Sequence, residues 1–400
     1  MKKTLVLQVD QASWSSVLQR FRKPCPFSPS QSTASIDFLG ALLWMGKMSV
    51  PTQIPQWFLA SQWAIVRYFA AVDASTRLRL HPAVEDLDTH HKKVLSDDWG
   101  VGFSLQWLAS RLRYRNIEHG FAVMRDLQRK GIAKFLAKRK KCGPDKCPDF
   151  IAYDSRNKIH IIECKGNQQG PDHFEKQLKR GRQQKGNVEF QDESLVAQRL
   201  VTAFAFAGST SRWSSTLRVV DPPPEDGHVY YRIEGESAQP IAQSIMRVVA
   251  IRGLLLAGAF DAAAHAFPRE TAIREVVRVP SALGEQFVAE DREWFGQSYD
   301  LHFPLPITVG TDAIVTGCRA RFGVSNSFRT ELLKNKPKGD IIDRFLIETD
   351  LELALNTEED DAASVNQVVG EGSGRLAPMS RYASILNGRT FIADWELLVA

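Results

Sequence analysis

The stretch CPDFIAYDSRNKIHIIECKG, residues 147–166, decides the expected fold of this chain. It contains two apolar runs separated by the turn-like DSRN, a pattern that indicates two neighbouring strands. Asp149 stands at the head of the first run, and Glu163-Cys164-Lys165 closes the second. Side chains two apart in a strand share a face, so Glu163 and Lys165 point to one side and Cys164 to the other. We therefore expect Asp149, Glu163 and Lys165 to converge at one edge of a sheet.

These three residue types suit hydrolysis of a phosphodiester. Two carboxylates can hold a hard divalent cation, and a neighbouring ammonium can steer or deprotonate a water molecule. The prediction depends on the pairing of the two strands. The alternative is a surface hairpin with ordinary charges, but such a hairpin would seldom gather two acids and a lysine on one face.

The sequence Pro148-Asp149, followed by Glu163-Cys164-Lys165 on the next strand, resembles the PD-(D/E)xK nuclease superfamily. The resemblance implies an α/β fold with a restriction-endonuclease-like core, in which helices flank a mixed sheet. It also implies a metal-dependent endonuclease with Asp149, Glu163 and Lys165 as catalytic residues. Mg²⁺ or Mn²⁺ would be bound by Asp149, Glu163 and the main-chain carbonyl of Cys164.

Family members often add an acid from a helix before the first strand, and two candidates stay open here. Asp97 lies in SDDWGVGF, where we expect a helix that begins at Ser96, and Glu118 lies in the next expected helix, from Asn116 to Gly131. The resemblance favours Asp97 as a metal ligand. It also predicts polar support from the helix after the second strand, where Gln177 is the candidate to orient Lys165 or contact a phosphate. The alternative for Gln177 is an exposed helical glutamine.

Basic residues flank this motif on both sides, although the net charge of the chain is only +5. Residues 125–146 hold nine Lys or Arg and two acids, and residues 173–185 hold five basic residues and one acid. A polyanion approaching the motif would meet positive potential, as nucleic-acid binding requires. The expected DNA-binding residues are Lys138, Arg139, Lys140, Lys141, Lys179, Arg180 and Arg182. The alternative is that these side chains only solvate two helices.

A length of 400 residues suggests two or three domains. We expect a helical N-terminal accessory region over 1–92, the nuclease-like core over 93–224, and an α+β region of unknown role over 229–400. The Pro-rich break DPPPEDG at 221–227 marks the last boundary. Beyond it we expect one long helix over 241–267, and a hairpin at Asn387-Gly388.

Composition and motifs indicate the cellular compartment of the protein and its expected partners. Five scattered cysteines argue against a disulfide framework, and no apolar run is long enough for a signal peptide or a membrane span, so we expect a cytoplasmic protein. The chain lacks a Gly-x4-Gly-Lys-Ser/Thr loop, so a separate motor or sensor protein is an expected partner beside DNA. The resemblance further implies a role in bacterial defence or mobile-element biology. A catalytically silent DNA-binding or assembly subunit, an RNA-cutting toxin and a homo-oligomer stay open.

Overall fold

The computed structural model describes residues 2–10, 32–49, 64, 67–112, 114, 116–136, 147–154, 158–221, 229–267, 284–289, 292–309, 313–334, 381–385 and 391–399. The chain divides into two units. The first comprises residues 1–50 and 59–248, and the second comprises residues 51–58 and 249–400.

The first unit contains the motif and most of the helices that surround it. Its strands are β1 (Lys2–Asp10), β2 (Ser32–Asp37), β3 (Asn116–His119), β4 (Ala133–Phe135), β5 (Phe150–Tyr153), β6 (Ile159–Asn167), β7 (Val188–Phe190), β8 (Val196–Ala205), β9 (Thr216–Val220) and β10 (Tyr231–Ile233). Its helices are α1 (Phe38–Ser49), α2 (Thr89–Leu112), α3 (Gly120–Arg129), α4 (Phe174–Lys185) and the first part of α5 (Gln239–Leu256).

Seven of the described strands form one mixed sheet in the order β2-β1-β9-β8-β6-β5-β3. The pairs β6–β8 and β1–β9 are parallel, and the other neighbours are antiparallel. The central strands β6 and β8 are buried along most of their length, which explains their nearly continuous apolar sequence. The predicted pairing of the two strands of the motif, β5 and β6, is confirmed. A smaller sheet has the order β4-β10-β7.

Helices cover both faces of the mixed sheet. On one face, Trp99 and Phe103 of α2 contact Phe206, and Phe103 also stacks on Phe204. On the other face, Phe174 and Leu178 of α4 pack in one cluster with Val201. The predicted architecture of a mixed sheet flanked by helices is therefore confirmed at this level.

The structure corrects two local predictions that place the candidate upstream acids. The helix that carries Asp97 begins at Thr89 and not at Ser96, because Asp88 accepts the N–H groups of the first turn. Ser96 lies inside the helix, where its hydroxyl donates to the carbonyl of Lys92. The helix predicted from Asn116 begins at Gly120 instead, because residues 116–119 pair with β5 as strand β3. Glu118 is thus a strand residue.

The terminal regions also differ from the predicted division. Strands β1 and β2 lie in the same sheet as the motif, and the two units divide between Val248 and Val249, inside α5. Of the Pro-rich stretch, only Asp221 lies among the described residues. The single helix predicted over 241–267 is wrong: α5 ends at Leu256 and α6 spans Phe260–Ala266. Gly258, with a φ of 68°, takes the left-handed conformation that separates them.

The second unit contains an antiparallel sheet with the order β11-β12-β13-β15-β14. Its strands are β11 (Glu285–Ala289), β12 (Arg292–Val309), β13 (Ala313–Ser325), β14 (Arg381–Ile385) and β15 (Phe391–Val399), and α7 spans Asn326–Lys334. The predicted hairpin is confirmed by the antiparallel pair β14–β15, while Asn387-Gly388 itself lies outside the described residues. No helix in the described parts of the chain is both long and apolar enough to cross a membrane.

Candidate active site

The two acids of the motif face each other across the β5–β6 pair. Phe150 pairs with Ile162, which sets Asp149 opposite Glu163 at the end of the ladder. The backbone N–H of Asp149 donates to Oε1 of Glu163 at 3.3 Å. In return, Oδ2 of Asp149 accepts the backbone N–H of Cys164 at 2.9 Å. Strand pairing alone therefore brings together two carboxylates that are separated by thirteen intervening residues (150–162) in the sequence.

Lys165 joins both carboxylates from the same strand face as Glu163. Its Nζ lies 3.3 Å from Oδ2 of Asp149 and 3.0 Å from Oε2 of Glu163. The Glu163 side chain is fully buried, whereas those of Asp149 and Lys165 are 32% and 20% exposed. The cluster is thus closed at Glu163 and open to an incoming molecule at the other two residues.

Burial and mutual charge shift the protonation of this cluster. Burial raises the pKa of Glu163 well above its ordinary value, Asp149 adds to this rise, and Lys165 opposes it. Burial also disfavours the charged form of Lys165, but the carboxylates of Glu163 and Asp149 outweigh it and raise the lysine pKa above its usual range. Lys165 is consequently an ammonium at neutral pH.

The first upstream candidate, Asp97, lies in the electrostatic field of this cluster. Partial burial raises the pKa of Asp97, Lys93 and Lys165 oppose the rise, and Asp149 adds to it. The helix that carries Asp97 approaches β6 backbone to backbone, since a Cβ on Gly100 would lie 2.7 Å from the nitrogen of Gly166.

The second upstream candidate, Glu118, is fully buried and lies in β3. It pairs with Ile151, which pairs with Ile161, and cross-strand partners share a face of the sheet. Glu118 therefore lies on the face that carries Glu163 and Lys165. Asp97 is coupled in charge to Lys165 and Asp149, and Glu118 shares the sheet face of Glu163, so both are candidates for the acid that accompanies the cluster.

Gln177 fixes the chain that follows Lys165. Its amide donates to the carbonyl of Gly166 at 2.8 Å and accepts from Nδ2 of Asn167 at 2.7 Å. These two hydrogen bonds place Gln177 at the end of β6, directly after Lys165. Asn167 also accepts the N–H groups of Gln169 and Gly170, which turns the chain away from the sheet.

Gln168 is a supporting residue that the sequence patterns did not identify. Its Nε2 donates to the carbonyl of Lys92 at 2.9 Å and to the hydroxyl of Ser96 at 3.0 Å. These bonds tie the end of β6 to the helix turn that carries Asp97. The run of polar residues Asn167-Gln168-Gln169 directly after the motif is the only signal in the sequence that pointed to such a role.

Cys164 points away from the cluster, as its position between Glu163 and Lys165 requires. It is buried, and burial raises the pKa of its thiol to about 12, so the sulfur is protonated and unreactive at neutral pH. The contribution expected from Cys164 is its main-chain carbonyl.

The predicted DNA-binding residues that the structure describes lie on α4. Lys179 and Arg180 are exposed and Arg182 is half-buried. Lys185, at the end of the same helix, is fully buried and donates to the carbonyl of Arg199 at 2.8 Å, so it supports the fold. The other predicted DNA-binding residues lie outside the described part of the chain: Lys138, Arg139, Lys140 and Lys141.

The donors at the cluster fit a hard divalent cation with few protein ligands. No group of three or more His, Cys, Asp and Glu side chains arranged for a metal ion occurs among the described residues. Mg²⁺, however, is commonly held by one or two carboxylates and completed by water and substrate phosphate. Asp149 and Glu163 supply two such carboxylates, and a cation beside the buried Glu163 would relieve the cost that raises its pKa.

Comparisons of the chain with protein-family models, with curated proteins and with solved structures found no match. The functional assignment therefore rests on the geometry of this site.

Replacing Glu163 by glutamine should change how stability depends on pH. A carboxyl whose pKa is raised in the folded state binds more protons folded than unfolded, so its contribution to the free energy of unfolding falls as pH rises above its ordinary pKa of 4.5. The slope from one group is at most about 1.4 kcal/mol per pH unit. We expect wild type to lose stability relative to Glu163→Gln as pH rises above 4.5, the ordinary pKa of a glutamate side chain.

Urea denaturation in metal-free buffer, repeated along a pH series, measures this difference. Glu189→Gln is the control, because Glu189 is an exposed partner of Arg232. Parallel curves for wild type and Glu163→Gln would contradict the raised pKa.

Proposed function

We propose that this chain is a metal-dependent nuclease that hydrolyses phosphodiester bonds of DNA, with a core of the PD-(D/E)xK type. The observation that carries the proposal is the contact of Lys165 Nζ with both carboxylates, at 3.3 Å from Asp149 and 3.0 Å from Glu163. The antiparallel β5–β6 pair, with α2 on one face of the sheet and α4 on the other, supports the restriction-endonuclease-like core.

Asp149 and Glu163, together with the carbonyl of Cys164, would hold Mg²⁺ or Mn²⁺. A divalent cation bound there supplies Lewis acidity toward the phosphate and lowers the pKa of a coordinated water. Asp97, which is coupled to Asp149 and Lys165, would complete the acidic side of the site.

Lys165 contributes as a cation. Because its pKa lies above the usual range, it stays protonated at neutral pH and donates hydrogen bonds. An ammonium at this position can orient the attacking water and offset negative charge that develops on the phosphate. Gln177 keeps the strand end in place through Gly166 and Asn167.

The basic residues of α4 supply contacts to the DNA backbone in this proposal. Lys179 and Arg180 are exposed near the end of β6, where Gln177 of the same helix binds Gly166. Contacts from Lys and Arg to phosphates position a duplex or a strand but do not select its sequence. The expected segment Lys138–Lys141 would extend this surface. A role in bacterial defence or mobile-element biology, with a separate motor or sensor protein, accompanies the proposal.

Titration of purified protein with Mg²⁺ and with Mn²⁺ on four substrates tests the function. The substrates are supercoiled plasmid, linear duplex, single-stranded DNA and RNA. We expect metal-dependent cleavage of DNA that EDTA abolishes. Binding without cleavage on all four would favour a silent assembly subunit, and cleavage of RNA alone would favour an RNA-cutting toxin, and each result contradicts the proposal.

A further inference from the structure

The first turn of α3 lies directly against Asp149, the residue immediately before β5. The backbone N–H of Gly120 donates to the carbonyl of Asp149 at 3.1 Å. A Cβ on Gly120 would lie only 2.2 Å from the carbonyl oxygen of Pro148, so the helix can approach this closely only with glycine at that position. The next residue, Phe121, therefore directly follows a residue that is hydrogen-bonded to the main chain of Asp149.

Phe121 is an exposed aromatic residue on a helix whose other large apolar side chains are buried. Its side chain is 57% exposed, whereas Val123, Met124 and Leu127 of the same helix are fully buried. Single apolar residues on a surface are common and need no explanation. Phe121 differs from such residues in its position, since the residue before it is hydrogen-bonded to Asp149.

The same exposed side of α3 carries positive charge. Arg125 and Arg129 follow Phe121 by four and eight residues, which places all three on one side of the helix. Arg125 is half-buried and Arg129 is exposed. An aromatic platform next to arginines is the combination that binds a nucleic-acid strand, because the ring stacks on a base while the guanidinium groups contact the backbone.

We propose that Phe121 stacks on a nucleobase of the strand that lies at Asp149, Glu163 and Lys165. The inference rests on the proposed nuclease function and names its substrate class more closely. Within a duplex both faces of a base are covered by its neighbours, so a protein ring can stack only on a base that has left the stack. The preferred substrate therefore carries an unpaired nucleotide at the cleaved bond, as in a single strand or a frayed end.

Binding of oligonucleotides separates this contact from catalysis. Phe121→Ala, Phe121→Trp and the surface control Val288→Ala, whose residue is 60% exposed in the second unit, are each made in a Lys165→Ala background that prevents cleavage. The ligands are single-stranded DNA with 2-aminopurine, a blunt duplex of the same sequence and the matching single-stranded RNA. Affinity and 2-aminopurine quenching are measured for each pair, with circular dichroism as the check on folding.

We expect Phe121→Ala to weaken binding of single-stranded DNA by about five- to one-hundredfold, the range that loss of one stacked base produces. Phe121→Trp should restore affinity and quenching, and Val288→Ala and all duplex affinities should be unchanged. An equal loss on single-stranded RNA would assign the contact to unpaired bases of either nucleic acid.

Unchanged affinity and quenching in Phe121→Ala would overturn the inference, as would an equal loss on the blunt duplex. Its failure is distinct from failure of the proposed function. Base stacking by Phe121 without metal-dependent cleavage by wild type would refute the nuclease function and keep the stacking inference. Metal-dependent cleavage by wild type, together with unchanged binding in Phe121→Ala, would refute the stacking inference and keep the nuclease function.

Discussion

Lys165→Ala is expected to lower the rate of metal-dependent DNA cleavage by about a hundred- to a thousandfold, the loss that follows removal of a group aimed at developing charge. The substitution removes the ammonium that lies within 3.3 Å of both carboxylates. Glu163 is already pushed toward its neutral form by burial, so it can take up a proton when the lysine is lost, and the fold should survive. Single-turnover cleavage with saturating Mg²⁺ measures the effect.

Asp149→Asn is expected to lower the cleavage rate by a similar factor. The substitution keeps the size of the side chain but removes the negative charge of one of the two proposed carboxylate ligands. Its remaining carbonyl oxygen can still accept the N–H of Cys164, so the strand pair should stay closed. Arg319→Ala is the control, since Arg319 lies in the second unit, is 39% exposed and pairs with Asp300. If either site variant cleaves DNA at the wild-type rate, the assignment of these residues is wrong.

Gly166→Ala is expected to lower the free energy of unfolding by about 3 kcal/mol, the upper end of the usual cost of overpacking. A Cβ on Gly166 would lie 1.8 Å from the carbonyl oxygen of Ser96. The obstacle is helix backbone, so α2 must move away from β6. That movement would also shift Asp97 away from Lys165. We therefore expect the rate of DNA cleavage to fall even under conditions in which the variant is folded.

Gly235→Ala is the matched control for the glycine substitution. The nearest atoms to its new Cβ would be the oxygen of Ser237 at 3.8 Å and a side-chain carbon of Ile132 at 4.0 Å, both ordinary contacts. We expect its stability to lie within about 0.5 kcal/mol of wild type. Urea denaturation of both variants measures the difference, and equal stabilities would show that α2 does not hold the backbone contact with β6.

The local sequence pattern was sufficient to predict how Asp149, Glu163 and Lys165 come together. The apolar runs on either side of DSRN predicted β5 and β6, and their pairing places Asp149 opposite Glu163. The alternation of side chains along one strand then places Lys165 with Glu163. This geometry depends on neighbouring residues and one short connection, which is why the sequence predicts it well.

Local pattern failed at the boundaries of two elements. Ser96 has the chemistry of a helix cap, but the N–H groups of the first turn are accepted by Asp88 and the helix begins earlier. Residues 116–119 suit a helix by spacing, yet pairing with β5 makes them a strand. In both cases a hydrogen-bonding partner outweighs the modest preferences of single residues.

The sequence by itself determined the centre of the candidate site: two acids and a lysine on paired strands, with basic residues before and after them along the chain. Only the tertiary structure decided what surrounds that centre. Gly100 and Gly166 let α2 meet β6 directly, Gln168 ties the two together, and Gly120 brings Phe121 beside Asp149. The reason is physical, because a glycine or glutamine shows no periodicity in the sequence, and its role appears only when the backbone it approaches is in place.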